Sequence, residues 1–399
     1  MKKTLLAAAL VAGFAGVAHA ESSVTLYGLV DAGYGYQGTE TKFRGDYDHG
    51  KITTRDFGLH SSVMNGSRWG LKGKEDLGNG TSAIFVLESG FDVTNGHHSQ
   101  GGRLFGRQAY VGLSGDSWGT FTLGRQYNAG DTFVAPIDPF GTGGGWAAAN
   151  RIFGDSVSGR HDGVIKYVSP NFSGFQFGIG VIHDDSETKV SGDIVANDYK
   201  ITSRTVGVTS GLGYTSGPIY VGASFDYVDV KSRNSIAPDA ATRAKTKAWN
   251  IGGTYDFDVV KLHLLYGGQA DGAVLDSIGM AGFDYLGSVG AQGVDTNTFA
   301  TEGLKQHSWL AGLSAPVGDA GKVMFSYAGN TIKNKDVAEN VKIKSHNFAL
   351  GYRHSLSKRT SVYGVASYGW SEAKERYTGF SGKAKTTATQ AIIGLQHRF

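Results

Sequence analysis

Residues 386–399 read TTATQAIIGLQHRF, with Ala391, Ile393, Leu395, His397 and Phe399 on one parity and Gln390, Gln396 and Arg398 on the other. A period of two marks a strand whose two faces meet different surroundings. The same rhythm recurs upstream. In VTLYGLVDAGYGY, Leu26, Val30, Ala32, Tyr34 and Tyr36 share a parity opposed to Thr25, Tyr27 and Asp31, although Leu29 falls with the polar set. In SRWGLKGKEDLG, Trp69, Leu71 and Gly73 alternate with Arg68, Lys72 and Lys74, and Asn79-Gly80 then supplies a strong hairpin dipeptide. TSAIFVLESGF, LFGRQAYVGL, FTLGRQY, DGVIKYVS and FQFGIGVIH continue the series.

Short turns fall at 75–80, 114–119, 170–174, 215–218, 256–258, 316–321 and 354–359. Longer polar or Gly-rich segments fall at 184–203, 231–246, 270–305, 333–343 and 373–384. Counting strands between them yields sixteen. An even number of strands of about ten residues, with short turns at one end and long connections at the other, predicts an all-β, 16-stranded antiparallel transmembrane barrel. The physical cause is that lipid offers no hydrogen-bond partners, so a spanning sheet must close and leave no edge. Tyr34, Tyr36, Tyr110, Tyr227, Tyr352, Tyr363 and Tyr368 cluster near strand ends, as interfacial girdles require.

Composition agrees with an interior that is not filled by apolar side chains. The hydrophobic fraction is 40%, while Gly numbers 61, Tyr and Phe 19 and 21, Pro 6 and Cys 0. Without cysteine there is no disulfide framework and no thiolate metal site. Lys2 and Lys3, the apolar run 5–18 and Ala18-His19-Ala20 form an export leader, so residues 1–20 are expected to be a signal peptide and 21–399 the barrel domain. The formal charge of +3 falls to +1 without Lys2 and Lys3, which predicts no nucleic-acid partner.

One segment breaks the pattern. Between 127 and 166 alternation stops, Pro136, Pro139 and Gly143-Gly144-Gly145 appear, and Phe133, Ile137, Phe140, Trp146, Ile152 and Phe153 argue that the segment is packed. A loop so long is usually functional. It is expected to fold into the lumen and narrow it.

At this point the chain resembles the Gram-negative general porins, in particular the trimeric sixteen-stranded porins of beta-proteobacteria and neisseriae. SSVTLYGLVDAG, GSRWGLKGKEDLGNG, GRQAYVGL, LGRQY, YVSPNFSGF and GLQHRF carry the resemblance, in order, over essentially all of 21–399. It implies a homotrimer in the outer membrane among lipid and lipopolysaccharide, and a third loop facing wall arginines and lysines. It also implies passive diffusion of ions and small hydrophilic solutes, with a substrate-specific channel as the alternative.

The candidate constriction residues are Arg68, Lys72, Arg107, Arg125 and Arg160 on the wall and Asp131, Asp138 and Asp155 in the loop. Arg68 and Lys72 follow from parity, because a charge on the lipid face near the midplane costs about 2–4 kcal/mol. Arg107 and Arg125 share a side with Phe105 and Leu123, so only the resemblance places them on the wall. Lys166 is a weaker wall candidate, and Arg151 joins the loop set. Bases outnumber acids, which predicts a modest preference for anions. No enzyme is expected: Gly115-Asp116-Ser117-Trp118-Gly119 and Gly33-Tyr34-Gly35-Tyr36-Gln37-Gly38 match a nucleophile elbow and a nucleotide loop only as strings, because no helix follows either. Asp31, Glu88 and Asp92 read as fixed lumen charges, His97 and His98 as solvated, and neither cofactor nor metal is implied.

Overall fold

The computed structural model describes residues 23–45, 49–191, 199–234, 242–271, 303–334, 340–377 and 380–399; the expected leader at 1–20 lies outside them. The strands are β1 (Ser23–Gly45), β2 (His49–Ser61), β3 (Arg68–Gly78), β4 (Thr81–Gly90), β5 (Gln108–Gly115), β6 (Gly119–Tyr127), β7 (Arg160–Val168), β8 (Phe175–Val190) and β9 (Tyr199–Ser216). They continue with β10 (Ile219–Asn234), β11 (Thr242–Asp256), β12 (Lys261–Ala270), β13 (Leu304–Val317), β14 (Gly321–Asn334), β15 (Asn340–Ser355), β16 (Thr360–Tyr377) and β17 (Phe380–Arg398). From β3 to β17 sequential neighbours pair antiparallel, and β1 pairs with β2 and β3 on one side and with β17 on the other, so the sheet closes.

The seventeen segments make sixteen staves. Both β2 and β3 lie along β1, at Ala32↔Ser61 and Leu29↔Arg68, so together they form one stave interrupted at 62–67. The interruption is held by Asp31. Its buried carboxylate accepts hydrogen bonds from the backbone N–H of Val63 (2.9 Å) and Asn65 (3.1 Å), the Tyr363 hydroxyl (2.7 Å) and Gln396 Nε2 (2.8 Å). A carboxylate can be kept out of water only when its lone pairs are used in this way.

Alternation is legible in the burial. On β17, Ile393 is 70% exposed while Gln390 and Gln396 are buried, which places apolar side chains outward and amides inward. The outward apolar face belongs in lipid, where each backbone group is already bonded within the sheet. The expected turn at Asn79-Gly80 is present, with both residues at positive φ. At the seam, Phe399 exchanges backbone bonds of 3.1 Å with Gly28, and a Cβ on Gly28 would stand 2.3 Å from the Phe399 ring.

Much that reads as polar loop is strand. β1 has 23 residues and β17 has 19, against 8 in β5 and 10 in β4. The segment 38–61 forms most of the β1–β2 hairpin, and β8 and β9 take most of 184–203. Beyond the membrane both faces of a strand meet water, so the ladder persists while the apolar alternation that would reveal it does not.

Candidate functional site

Residues 128–159, between β6 and β7, are seated on the polar face of the sheet by side chains that alternation turns inward. Thr209 Oγ1 accepts from the Ala129 N–H (2.7 Å), and the Tyr220 hydroxyl donates to the Phe133 carbonyl (2.7 Å). Gln306 Nε2, Ser308 Oγ and Asn330 Nδ2 converge on the Ile152 carbonyl at 2.8, 3.1 and 3.0 Å. Gln390 donates to the Gly144 carbonyl (2.9 Å) and accepts from the Trp146 N–H (3.1 Å). An irregular segment has no ladder of its own, so the wall supplies its partners.

Apolar contacts add to this seat. Val134, Ile137, Ile152, Phe153 and Val157 pack with Leu265, Leu310 and Ala328, and Phe140 and Ala147 pack with Met64, Met324 and Ile392. The wall is cut back to receive them: a Cβ on Gly222 would stand 1.9 Å from the Phe133 oxygen, and one on Gly351 2.7 Å from the Phe140 ring.

The opposite side of the segment and the β3–β7 wall enclose a cavity of about 670 Å³. Arg68, Arg107, Arg151, Arg160 and Lys166 line it, against the two acids Asp131 and Asp155. Tyr127 organises the bases. Its hydroxyl accepts from Arg107 (2.7 Å) and from Arg160, whose guanidinium lies 4.2 Å from the ring centroid, and its carbonyl accepts from Lys166 Nζ (2.9 Å). Arg107 Nε donates to Glu88 at 2.8 Å with both side chains buried, and Arg68 Nε donates to the Gly66 carbonyl at 2.9 Å. Asp131 accepts from Ser158 Oγ (2.6 Å), and burial pushes its pKa upward.

Five of the eight expected constriction residues therefore meet around one space: Arg68, Arg107, Arg160, Asp131 and Asp155. The other three do not. Lys72 shares the face of Arg68 but sits four residues along the strand, about 13 Å away, where its ammonium stands 5.4 Å from the centre of the Tyr27 ring. Arg125 lies where the β6–β7 ladder shifts register and binds Asp162 (2.6 Å), which Arg103 also holds (2.8 Å). Asp138 is buried inside the loop, accepting from the N–H groups of Phe140 (3.0 Å), Thr142 (2.9 Å) and Ala149 (2.9 Å). It is a fastener of the loop. Burial raises its pKa to about 6 despite those bonds.

A family model described as Gram-negative porin matches residues 7–375. This chain belongs to that family. The porin is 41% identical to an outer membrane porin protein of Bordetella pertussis and 31% identical to outer membrane porin protein 32 of Delftia acidovorans, each over 100% of both chains. Among solved structures, an anion-selective porin from Comamonas acidovorans aligns with a TM-score of 0.62 at 27% identity, covering 95% of this chain and 100% of that one. The protein is thus a multi-pass outer-membrane β-barrel that passes small solutes by diffusion. Two residues of the porin's site escaped the sequence reading: Glu88, taken as a generic lumen charge, and Tyr127, taken as a loop boundary. An aromatic at the end of LGRQY, where strand gives way to loop, is the signal that points to the second.

Proposed function

We propose that residues 128–159 form the constriction of a general diffusion channel and that the cationic excess around the cavity gives the channel a modest preference for anions. The observation that carries this reading is the set of five basic and two acidic side chains that line one cavity from the barrel wall and the loop. Low-dielectric walls focus such a field on the aqueous gap. The porin from Comamonas acidovorans, described as anion-selective, supports the same sign. The working unit is a homotrimer; a trimeric form of the similarly folded OmpT from Vibrio cholerae supports this at the level of fold, with a TM-score of 0.55. Residues 1–20 serve as a cleaved leader, and 21–399 as the barrel domain.

The test is a planar-bilayer recording of the purified protein. Ohmic conductance steps, closing in three equal sub-steps at high voltage and showing a zero-current potential of anionic sign in a salt gradient, are expected. Protein that is folded by circular dichroism yet never conducts would overturn the channel reading, and cationic selectivity would overturn the assignment of the constriction.

A further inference from the structure

On β13 to β17 one register position carries lysine on every strand. Lys305 lies opposite Lys333, Lys333 opposite Lys342, Lys342 opposite Lys374, and Lys374 opposite Lys383. Arg44 of β1 extends the row beside Lys383. All of them are exposed, and directly opposed residues stand about 5 Å apart. They face outward: Lys305 shares parity with Leu313, Lys333 with Phe325, Lys342 with Leu350 and Lys383 with Ile393, all exposed apolar residues on unshifted ladders.

Like charges directly opposite each other weaken a sheet. None of the five lysines is in an ion pair among the described residues. The row two residues nearer the membrane is built differently. There Lys344 faces Glu372, Glu372 faces Lys385, and Lys42, opposite Lys385, pairs with Glu40 at 3.0 Å. The lower row sets Glu372 and Glu40 beside its bases; among the described residues no acid faces the upper row, which stands open to a partner.

Height identifies what that is. Below both rows lies a band of stacked rings, His346 on Trp370 at 5.0 Å and Tyr327 on Phe348 at 4.8 Å, of the kind that occupies the membrane–water boundary. The lysine row stands four residues above His346, about 13 Å along the strand, at the level of the outer leaflet's headgroups. We propose that the row Lys305, Lys333, Lys342, Lys374 and Lys383 is a docking surface for phosphorylated headgroups of outer-leaflet glycolipid, each phosphate bridging neighbouring ammonium groups. Phosphate oxygens accept several charge-assisted hydrogen bonds at once, so a row with this spacing suits a headgroup bearing more than one phosphate. Bound lipid also removes the repulsion that otherwise pushes the tall strands apart.

The test uses the folded protein in zwitterionic detergent, titrated with bisphosphorylated lipid A and with the same lipid fully dephosphorylated. K333Q/K342Q/K374Q is expected to bind the bisphosphorylated lipid at least about tenfold more weakly than the wild type, with binding of the dephosphorylated lipid unchanged. K344Q/K385Q, in the lower row where Glu372 lies between the two lysines, should lose less than about threefold. Wild-type affinity should fall between 0.1 and 1 M salt, as the Debye length shrinks from about 10 to 3 Å. Unchanged affinity in the triple variant, or equal loss toward both lipids, would overturn the proposal. Complete competition by inorganic phosphate at equal concentration would also overturn it, since the row would then read free anions. A changed oligomeric state with unchanged lipid affinity would assign the row to a contact between copies. Heat-modifiable mobility in gels verifies that each variant is folded.

Discussion

Replacing Arg68 and Arg160 with glutamine removes two positive charges from the cavity wall while leaving the buried Arg107–Glu88 pair intact. An ion passing about 5 Å from one such charge in water feels about 0.8 kcal/mol, reduced to about 0.4 kcal/mol by screening at physiological salt. Because the charge attracts anions and repels cations by the same amount, each removal should lower the chloride-to-potassium permeability ratio about fourfold, and the double variant on the order of tenfold. At 1 M salt, where the Debye length is about 3 Å, the effect should shrink below about twofold per charge. Zero-current potentials in potassium chloride gradients at both salt levels measure this, with single-channel conductance recorded alongside. A reversal potential that does not move would place the narrowest point elsewhere. A shift as large at 1 M as at 0.15 M would refute an electrostatic origin and point to a change of pore shape.

Arg107→Ala should behave differently, because it strands Glu88 in a buried site and costs about 3–5 kcal/mol of stability; thermal denaturation should show the loss, and Arg107→Ala with Glu88→Ala should restore part of it. Asp138, with its pKa raised to about 6, favours the seated loop most when protonated. Its contribution is fully present below its unfolded pKa of about 4 and is lost as pH rises through about 6. Protease protection of residues 128–159 should therefore increase from pH 7.5 to 4.5, and Asp138→Asn should flatten that dependence. Phe399→Ala empties the place over Gly28 at the seam, and since the ring is 44% exposed the loss should be roughly 2 kcal/mol, about half that of a fully buried ring. Fewer heat-modifiable trimers should reach the outer membrane, with unchanged conductance in those that do.

Parity made the barrel legible, since every spanning strand must show one face to lipid. It loses its hold near Arg125: the β6–β7 ladder shifts between Gly124 and Gln126, Tyr127 lines the cavity although it has the parity of the exposed Leu123, and Arg125, which family resemblance placed on the pore wall, is bonded to Asp162 away from that lining. Parity names a face but not a height, which is why Lys72 stood with Arg68 in the sequence and stands apart from it in the barrel. The break at 62–67 left no trace in alternation, because it depends on Asp31 meeting Tyr363 and Gln396 from the far end of the chain. Asp138 looked like a pore acid because loop acids have no periodicity to sort inward from outward. Its three backbone donors, within eleven residues of it, could be assigned only once the loop was folded.

The seat of residues 128–159 has a consequence for how such proteins can be recombined. Phe133 rests where Gly222 has no side chain, and Phe140 where Gly351 has none, so loop and far wall are complementary surfaces contributed by stretches of chain some 90 and 210 residues apart. A loop grafted from a relative whose bulky residues fall at other positions would meet backbone where it needs a hollow, and hollows where it has nothing to insert. The heritable unit of this pore is therefore the loop together with its glycines, and a chimera that exchanges one without the other should lose the seat even though every strand still pairs.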